Sequence, residues 1–519
     1  MESEGGRVVG EYYLSLVFFC FAGAFVLLAA ALKLLRSMQW WCSCPVCEAY
    51  VTGSWTAAGF DNLSDWYAHL LRCSPTRTIH IHVLGNIVTA DPANVEHILR
   101  ARFPIYPKGK PFSAILGDLL GRGIFNVDGP DWRFQQKLSR AELCSPAVRL
   151  FAARVVAAET RSRLLPLLER AAETGETLDL QDVFRRFAFD NMCAIAFGLD
   201  PGCLRLSLPA STLASAFDAA SRLSAWRATA TVPLVWKAKR LLRIGSERKL
   251  REAIGVVNVL ANDLIRERRK LGCANGQDLL SRFMGVVADD DEYLRDIVVS
   301  FLLAGRDTVA SALTSFFWLL ARHVEVSSAM REEIDRVLSG SGGEAVVVTA
   351  DKMREMQYVH AAIFESMRLF PPVQFDSKFC TADDVLPDGT AVRRGTRVTY
   401  HAYAMGRMEE LWGEDCGDFR PQRWLRGEGG VFAPESAYKY PVFQGGYRVC
   451  LGKEMAIMEM KTVAVAVVRR FDFEVLGGEG RKTPKFAPGL TASLAGGLPV
   501  RVCRRDGRRM PSIASAPSV

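Results

Sequence analysis

From Tyr12 to Leu32 the chain carries no charged residue, a run long enough to cross a bilayer as one helix. The segment before it holds Glu2, Glu4, Arg7 and Glu11, so it lacks the basic leader of a cleaved signal peptide. Lys33 and Arg36 follow the run, then Trp40 and Trp41. Positive charge behind the span puts the C-terminal side in the cytosol, and the tryptophans suit the membrane interface. The organisation expected is an anchor over residues 1–36, a juxtamembrane linker over 37–60, a large body over 61–503 and a disordered tail over 504–519. The tail is basic at first, then Ser/Ala/Pro-rich.

Within the body, residues 79–84 alternate as a strand, Gly85-Asn86 turns, and 87–90 return. Asp91-Pro92 opens a helix that runs to about Arg102. Residues 106–131, rich in glycine, proline and large apolar residues, read as a long irregular piece of the functional kind. Trp132 opens a polar helix, and 146–288 is mainly helical. Residues 291–323 form a long helix that is apolar on nearly all sides. Arg306 and Asp307 interrupt it, which favours a core helix over a second span. A Ser/Gly run at 339–343 breaks the pattern, and a helix over 357–369 stops at Pro371-Pro372. Residues 392–400 read as strand, 414–446 as loop-rich, 453–469 as helix, 463–475 as helix passing into strand, and 490–494 as a hairpin tip.

The 519 residues allow a very large core, and the net charge of +8 is spread too evenly for a nucleic-acid stripe. The 13 cysteines are scattered and stay reduced on the cytosolic side. Cys42, Cys44 and Cys47 cluster behind the span but have no fourth ligand nearby, which makes a poor zinc site. Incidental clustering or juxtamembrane palmitoylation remain the readings. His80 and His82 share a strand face, again without a third ligand, and read as a surface pair.

The stretch Phe443-Gln444-Gly445-Gly446-Tyr447-Arg448-Val449-Cys450-Leu451-Gly452 is a loop that presents one cysteine. A cysteine just before a helix N-terminus sits where aligned amides favour a thiolate, and a thiolate can ligate haem iron. A second group is Ala304-Gly305-Arg306-Asp307-Thr308 in the long helix. Ala304 and Thr308 share a face, and Gly305 lets the helix loosen or a ligand approach. An acid beside a hydroxyl in an apolar helix reads as a proton relay, or as a kink with a solvated Arg306–Asp307 pair. Glu365-x-x-Arg368 is a third group, and Phe419-Arg420-Pro421-Gln422-Arg423-Trp424 a fourth.

The spacing Phe443-x-x-Gly446-x-Arg448-x-Cys450-x-Gly452 resembles the haem-binding loop of the cytochrome P-450 haem-thiolate monooxygenases, and the other groups follow in that family's order. The resemblance covers about residues 62–502 and implies a mainly α fold with a small β-sheet portion. It implies haem b with Cys450 as axial ligand, framed by Phe443, Gly446, Arg448 and Gly452. It implies dioxygen as co-substrate and electrons from NADPH through a flavoprotein reductase. That reductase would dock an acidic face near Lys137, Arg140 and Lys453. Asp307 and Thr308 would pass protons, and Glu365, Arg368 and Arg423 would form a structural triad. In the family a Trp-x-x-x-Arg pair holds the haem propionates; Trp132 is kept here, Gln136 stands at the arginine position, and Lys137 is next to supply a charge.

The motifs at 106–112, 121–129 and 304–308 resemble the plant fatty-acid ω-hydroxylase clade. Cys42 to Cys47 and Phe60-Asp61-Asn62-Leu63 resemble its subgroup that oxidises jasmonoyl-isoleucine. The implied substrate is a lipid carboxylate or a jasmonoyl-amino acid, oxidised at its terminal carbon. The implied walls are Phe112, Ile115, Leu116, Ile124, Phe125, Ala304, Thr308, Val373, Phe375 and Leu490, with Lys108, Lys110 or Arg122 at the carboxylate end. The place is the endoplasmic reticulum membrane, single-pass, with no nucleic-acid partner. A haem-thiolate isomerase of hydroperoxides and a non-enzymatic haem sensor are the alternatives; neither needs an acid–hydroxyl relay.

Overall fold

The computed structural model describes residues 42–204, 212–271, 278–287, 290–339, 349–477 and 483–505, together with 22, 23, 25, 26 and 29. Most of the expected span, most of the Ser/Gly break and nearly all of the expected tail lie outside the described residues.

Helices dominate. Asp91 caps Pro92–Glu96 by accepting from the amides of Ala93 and Asn94 at 2.9 and 3.1 Å, and a wider turn, His97–Ala101, carries the chain on. The stretch expected to be irregular holds a helix, Gly109–Leu120. Gly109 and Pro111 stand in the first turn, where amides need no partner. Beyond them Phe112, Ile115, Leu116, Leu119 and Leu120 recur at helical spacing. The helix Gly129–Leu143 starts three residues before Trp132.

The long helix runs Asp291–Leu302, loosens over Leu303–Asp307, and continues Thr308–Leu320, where Val309 to Leu320 are all buried. Asp290 caps it by accepting from the Tyr293 amide at 2.9 Å. Among the described residues it is the one helix apolar and long enough to cross a membrane, and 72% of its most apolar window is buried. It is a core helix. Gln357–Leu369 has the bounds its sequence signals set, and Lys453–Val468 leads into the strand Phe471–Val475.

The main sheet has four strands in the order Thr78–Ile81, Asn86–Thr89, Arg397–Tyr400, Asp376–Phe379. Asn86–Thr89 and Arg397–Tyr400 are parallel, and the other neighbours antiparallel. Two strand expectations change. The first strand ends at Ile81 because His82–Leu84 winds into a tight turn closed by Gly85 at φ +53°. The strand expected over 392–400 is two, since Gly395 at φ +87° folds the chain back between Ala391–Val392 and Arg397–Tyr400. Phe486–Ala487 pairs with Ser493–Leu494, so Leu490 sits at a hairpin tip as expected. Two apolar cores result, one under the main sheet and one around Leu116, Phe283 and Leu302, and Met455 packs against both.

Candidate active site

The cysteine loop is shaped by close approaches. Gly446 has φ +60°, and a Cβ there would stand 2.1 Å from the Leu99 carbonyl oxygen, so only glycine fits. The Cys450 amide closes the loop on the Phe443 carbonyl at 2.8 Å, and Gly452 heads the helix Lys453–Val468. The Cys450 side chain keeps open surface, yet burial is the first cause that raises its thiol pKa. Both hold when the open surface faces an interior space. The Gly452 and Lys453 amides and the Lys453 charge pull the other way, toward thiolate.

Arg448 reaches back to the 121–129 motif. Its Nη2 donates to the Val127 carbonyl at 2.8 Å and to Asp128 Oδ1 at 2.6 Å, and its Nη1 to the Ile124 carbonyl at 3.4 Å. Its guanidinium lies 4.7 Å from the Trp132 ring centre. The same loop meets the main sheet where the Tyr400 hydroxyl bonds Gln444 Oε1 and lies 2.9 Å from Asp376 Oδ2. Asp376 also receives Lys108 and Lys378, the latter at 2.7 Å. Burial alone would raise the Asp376 carboxyl; the two lysines outweigh it and hold it well below the usual range. Burial, with the charges of Lys108 and Arg448, pulls Lys378 down to about 7 against Asp376.

Sequence reasoning missed this buried group of cations, and Lys378 most of all. Its signal was a lysine alternating into the inner face of a strand. Gln136 is half-buried one turn after Trp132, but Lys137 lies on the exposed side of that helix, away from the charge-supplying place expected of it. Lys378, Lys108 and Arg448 hold the inward positive charge instead. Arg448 Nε is buried with no partner, and an added Cβ at Gly452 meets nothing within 4 Å. An inward thiol, an unsatisfied guanidinium donor, surplus cations and open space beside Gly452 together suit haem with its two carboxylates.

On the long helix, Ala304, Gly305 and Thr308 keep open surface while Arg306, Asp307, Val309 and Ala310 are buried. The Thr308 hydroxyl donates to the Ala304 carbonyl at 2.5 Å across the loosened turn. Gly305 does loosen the helix, but its missing Cβ makes room for Met192, whose sulfur would lie 2.0 Å from it. That side is therefore filled by protein, not by a ligand. Arg306 Nη1 pairs with Asp307 Oδ1 at 2.7 Å and with Asp218 Oδ1 at 2.9 Å. The pair is buried, where the kink reading expected it solvated. Burial raises the Asp307 carboxyl, and Arg306 opposes that.

Glu365 is a hub. Arg368 donates to it twice at 2.8 Å, Trp424 Nε1 at 2.9 Å, the Arg420 amide at 3.0 Å and Arg423 Nε at 3.3 Å. Glu365 and Arg368 have no exposed side-chain surface.

Phe112, Ile115 and Leu490 are half-buried against one apolar cluster that holds Leu116 and Leu302, joined by Phe301 and Leu303 of the long helix. Ile124 is half-buried beside Arg448, whereas Phe125 is 38% exposed. Val373 is half-buried, and the Phe375 ring packs 5.5 Å from His401. The glycines of 121–129 answer to the long helix: side chains at Gly121 and Gly123 would meet Asp296 and Ser300 at 2.1 and 2.0 Å. Of the cations expected at a carboxylate end, Lys108 is buried on Asp376 and Arg122 pairs with Asp290. Lys110 is exposed beside a surface pocket of about 180 Å³ shared with Arg394. Arg397 was not foreseen; it donates to Ser377 Oγ at 3.0 Å and to the Ala228 carbonyl at 2.8 Å, keeps open surface, and burial lowers its pKa.

Residues 60–496 match the cytochrome P450 family. The chain is 62% identical to cytochrome P450 94C1 of Arabidopsis thaliana, over 90% of this chain and 94% of that one. It is 49% identical to cytochrome P450 94B3 of the same plant and 43% identical to cytochrome P450 94A2 of Vicia sativa, each over 86% of this chain and 88% of the relative. With the cysteine loop, the Glu365 hub and the loosened long helix in that family's order, the chain belongs to the cytochrome P450 family and is a haem- and dioxygen-dependent monooxygenase that takes its electrons from a redox partner.

Proposed function

We propose that this monooxygenase is membrane-anchored and oxidises the terminal carbon of aliphatic carboxylates, fatty acids or conjugates of the jasmonoyl-isoleucine type, continuing to the acid on repeated turnover. The observation that carries the reading is the open surface at Ala304 and Thr308, which share one face of a mostly buried helix whose Phe301 and Leu303 pack in the cluster where Phe112, Ile115 and Leu490 meet. A terminal methyl is less reactive than the methylenes behind it. Choosing it requires apolar walls that admit the chain end-on, an effect of orientation.

Bound haem would supply dioxygen activation here; Cys450 would hold it, and Trp132, Arg448 and Lys378 would be available to its carboxylates. The remaining roles belong to side chains. Asp307, its carboxyl raised by burial, holds a proton at neutral pH more readily than an exposed acid. Thr308 carries it onward when its hydroxyl leaves the Ala304 carbonyl. Glu365, Arg368 and Arg423 fix the 406–424 segment against the helix Gln357–Leu369. Because ion pairs occupy Lys108 and Arg122, Arg397 is the cation we put forward for the substrate carboxylate.

The jasmonoyl-isoleucine class rests on the resemblance at 42–47 and 60–63 and on likeness to relatives of the 94 series. Membrane attachment rests on residues 12–32 and on the helix Pro233–Leu242, which exposes Leu234, Val235, Leu241 and Leu242 among Lys237, Lys239 and Arg240. We place the protein in the endoplasmic reticulum membrane facing the cytosol, with NADPH electrons arriving through a flavoprotein reductase. Lys137 and Arg140 are exposed for its acidic face, while the Lys453 amine lies 5.7 Å from the Phe443 ring centre. Product analysis of Ile115→Ala and Leu490→Ala tests the walls: oxygen should move to inner carbons. An unchanged product profile in both would remove these residues from the channel.

A further inference from the structure

Cys42, Cys44 and Cys47 take no part in the chemistry above, yet they converge. Their sulfur atoms all lie within 4.8 Å of one another. Cys44 caps the helix Pro45–Thr52, and the Cys47 amide donates to Cys44 Sγ at 3.5 Å. Pro45 at the first helical position has no amide to satisfy, so the chain enters the helix with Cys44 just outside and Cys47 one turn in. Cys47 is buried, and Cys42 and Cys44 are half-buried. The three thiols are therefore gathered by local structure and partly shielded from solvent. Nearness in sequence alone would leave them free to point apart.

The sequence reading set the cluster aside because structural zinc takes four ligands. Among the described residues no further histidine, cysteine, aspartate or glutamate joins the three. A set of three thiols suits an ion content with three soft ligands. Thiolates select Cu(I) over the harder divalent ions. Three sulfurs at about 2.3 Å from one ion stand about 4 Å apart, which the observed spread accommodates.

We propose that Cys42, Cys44 and Cys47 form a three-thiolate site for Cu(I). Binding releases the thiol protons and ties residue 42 to the helix Pro45–Thr52. That helix is itself fastened to the body: the Tyr50 hydroxyl donates to the Thr229 carbonyl at 2.9 Å, and the Tyr50 ring stacks on Trp66 at 6.4 Å. The ion braces the short stretch that joins the N-terminal segment to the catalytic body.

The test uses the full-length haem protein in detergent, reduced and free of oxygen, with Cu(I) presented in a competing buffer. Metal content and the ultraviolet thiolate-to-copper absorption are read against a variant with serine at all three positions. The wild type should hold one more Cu(I) per chain than that variant. Cys42→Ser, Cys44→Ser and Cys47→Ser should each weaken binding at least about tenfold, the scale on which even a supporting contact is felt. Cys73→Ser, at an exposed thiol, should change nothing. The reduced carbon-monoxide spectrum should be the same in all of them, which shows the fold and the haem loop intact. Equal copper in the wild type and the triple variant would overturn the proposal. So would wild-type affinity in Cys42→Ser, or displacement of the copper by an equal concentration of Zn(II).

Discussion

Arg448 Nη2 donates to Asp128 Oδ1 at 2.6 Å, and Asp128 in turn accepts from the amides of Lys108 and Gly109 at 2.9 and 2.8 Å. One carboxylate thus joins the distant cysteine loop to two neighbouring stretches, the 106–112 segment and the 121–129 segment. The guanidinium it holds stacks on Trp132. The geometry around Cys450 is therefore held in part by contacts within the chain.

Asp128→Asn should loosen that junction. The amide cannot accept from all three donors, and the buried Arg448 loses its ion pair. A loss of about 1–3 kcal/mol in stability is expected, with faster haem release. Thermal unfolding and haem transfer to an acceptor protein measure both. Haem retention equal to the wild type would mean that Asp128 acts only on the surface.

Glu365→Gln should be harsher. Arg368, fully buried, would keep its carbonyl partners but lose its only carboxylate, and Arg423 would keep only Asp415. Leaving a buried charge unpaired costs about 3–5 kcal/mol. Expression should yield little protein with the reduced carbon-monoxide band of thiolate ligation. A full band at wild-type yield would refute the structural role.

Glu459 gives a pH signature. Burial pushes its carboxyl up to about 8, against an ordinary 4.5, with the Asn191 amide as its partner at 3.0 Å. The folded chain keeps a proton that the unfolded chain sheds above its own, lower pKa. Stability contributed at this site is therefore greatest below about 4.5 and falls as pH rises toward 8, by about 1.4 kcal/mol per unit at most. Glu459→Gln should remove this slope, since its amide can donate to Asn191 Oδ1, which is buried without a partner. The gain in melting temperature over the wild type should grow between about pH 5 and pH 8. A gain that does not change with pH would mean that Glu459 is ionised in the folded protein.

Thr308→Ala should leave haem content and substrate binding in place and lower the share of NADPH that ends in product, by roughly a hundredfold if proton delivery sits at the low end of the usual scale of acid–base assistance. The product-to-NADPH ratio measures it. Unchanged coupling would leave Thr308 as a partner of the Ala304 carbonyl alone.

The chain shows much of this in advance, for physical reasons that differ by element. Gln357–Leu369 is legible because a proline pair ends it and apolar residues line it. The cysteine loop is legible because close approaches leave no room for side chains at Gly445 and Gly446, where an added Cβ would stand 3.0 Å from Tyr438 and 2.1 Å from Leu99, and the glycines needed there mark the loop in the sequence. The helix Gly109–Leu120 is hidden because Gly109 and Pro111 read as breakers although they occupy the first turn, and Gly117 adds a third breaker that the helix tolerates inside it. The cations Lys108 and Lys378 are hidden because only tertiary contact with Asp376 makes burial of a lysine tolerable. Lys137 misleads for the complementary reason: sequence proximity to Gln136 does not give it the same helix face.

Terminal oxidation of an aliphatic carboxylate is read from the products. The full-length protein, with a plant reductase, NADPH and dioxygen, is given jasmonoyl-isoleucine and, separately, a medium-chain fatty acid. The products should be mainly the terminal alcohol, followed by the dicarboxylic acid as turnover continues. In-chain alcohols or epoxides as the main products from both substrates would contradict it.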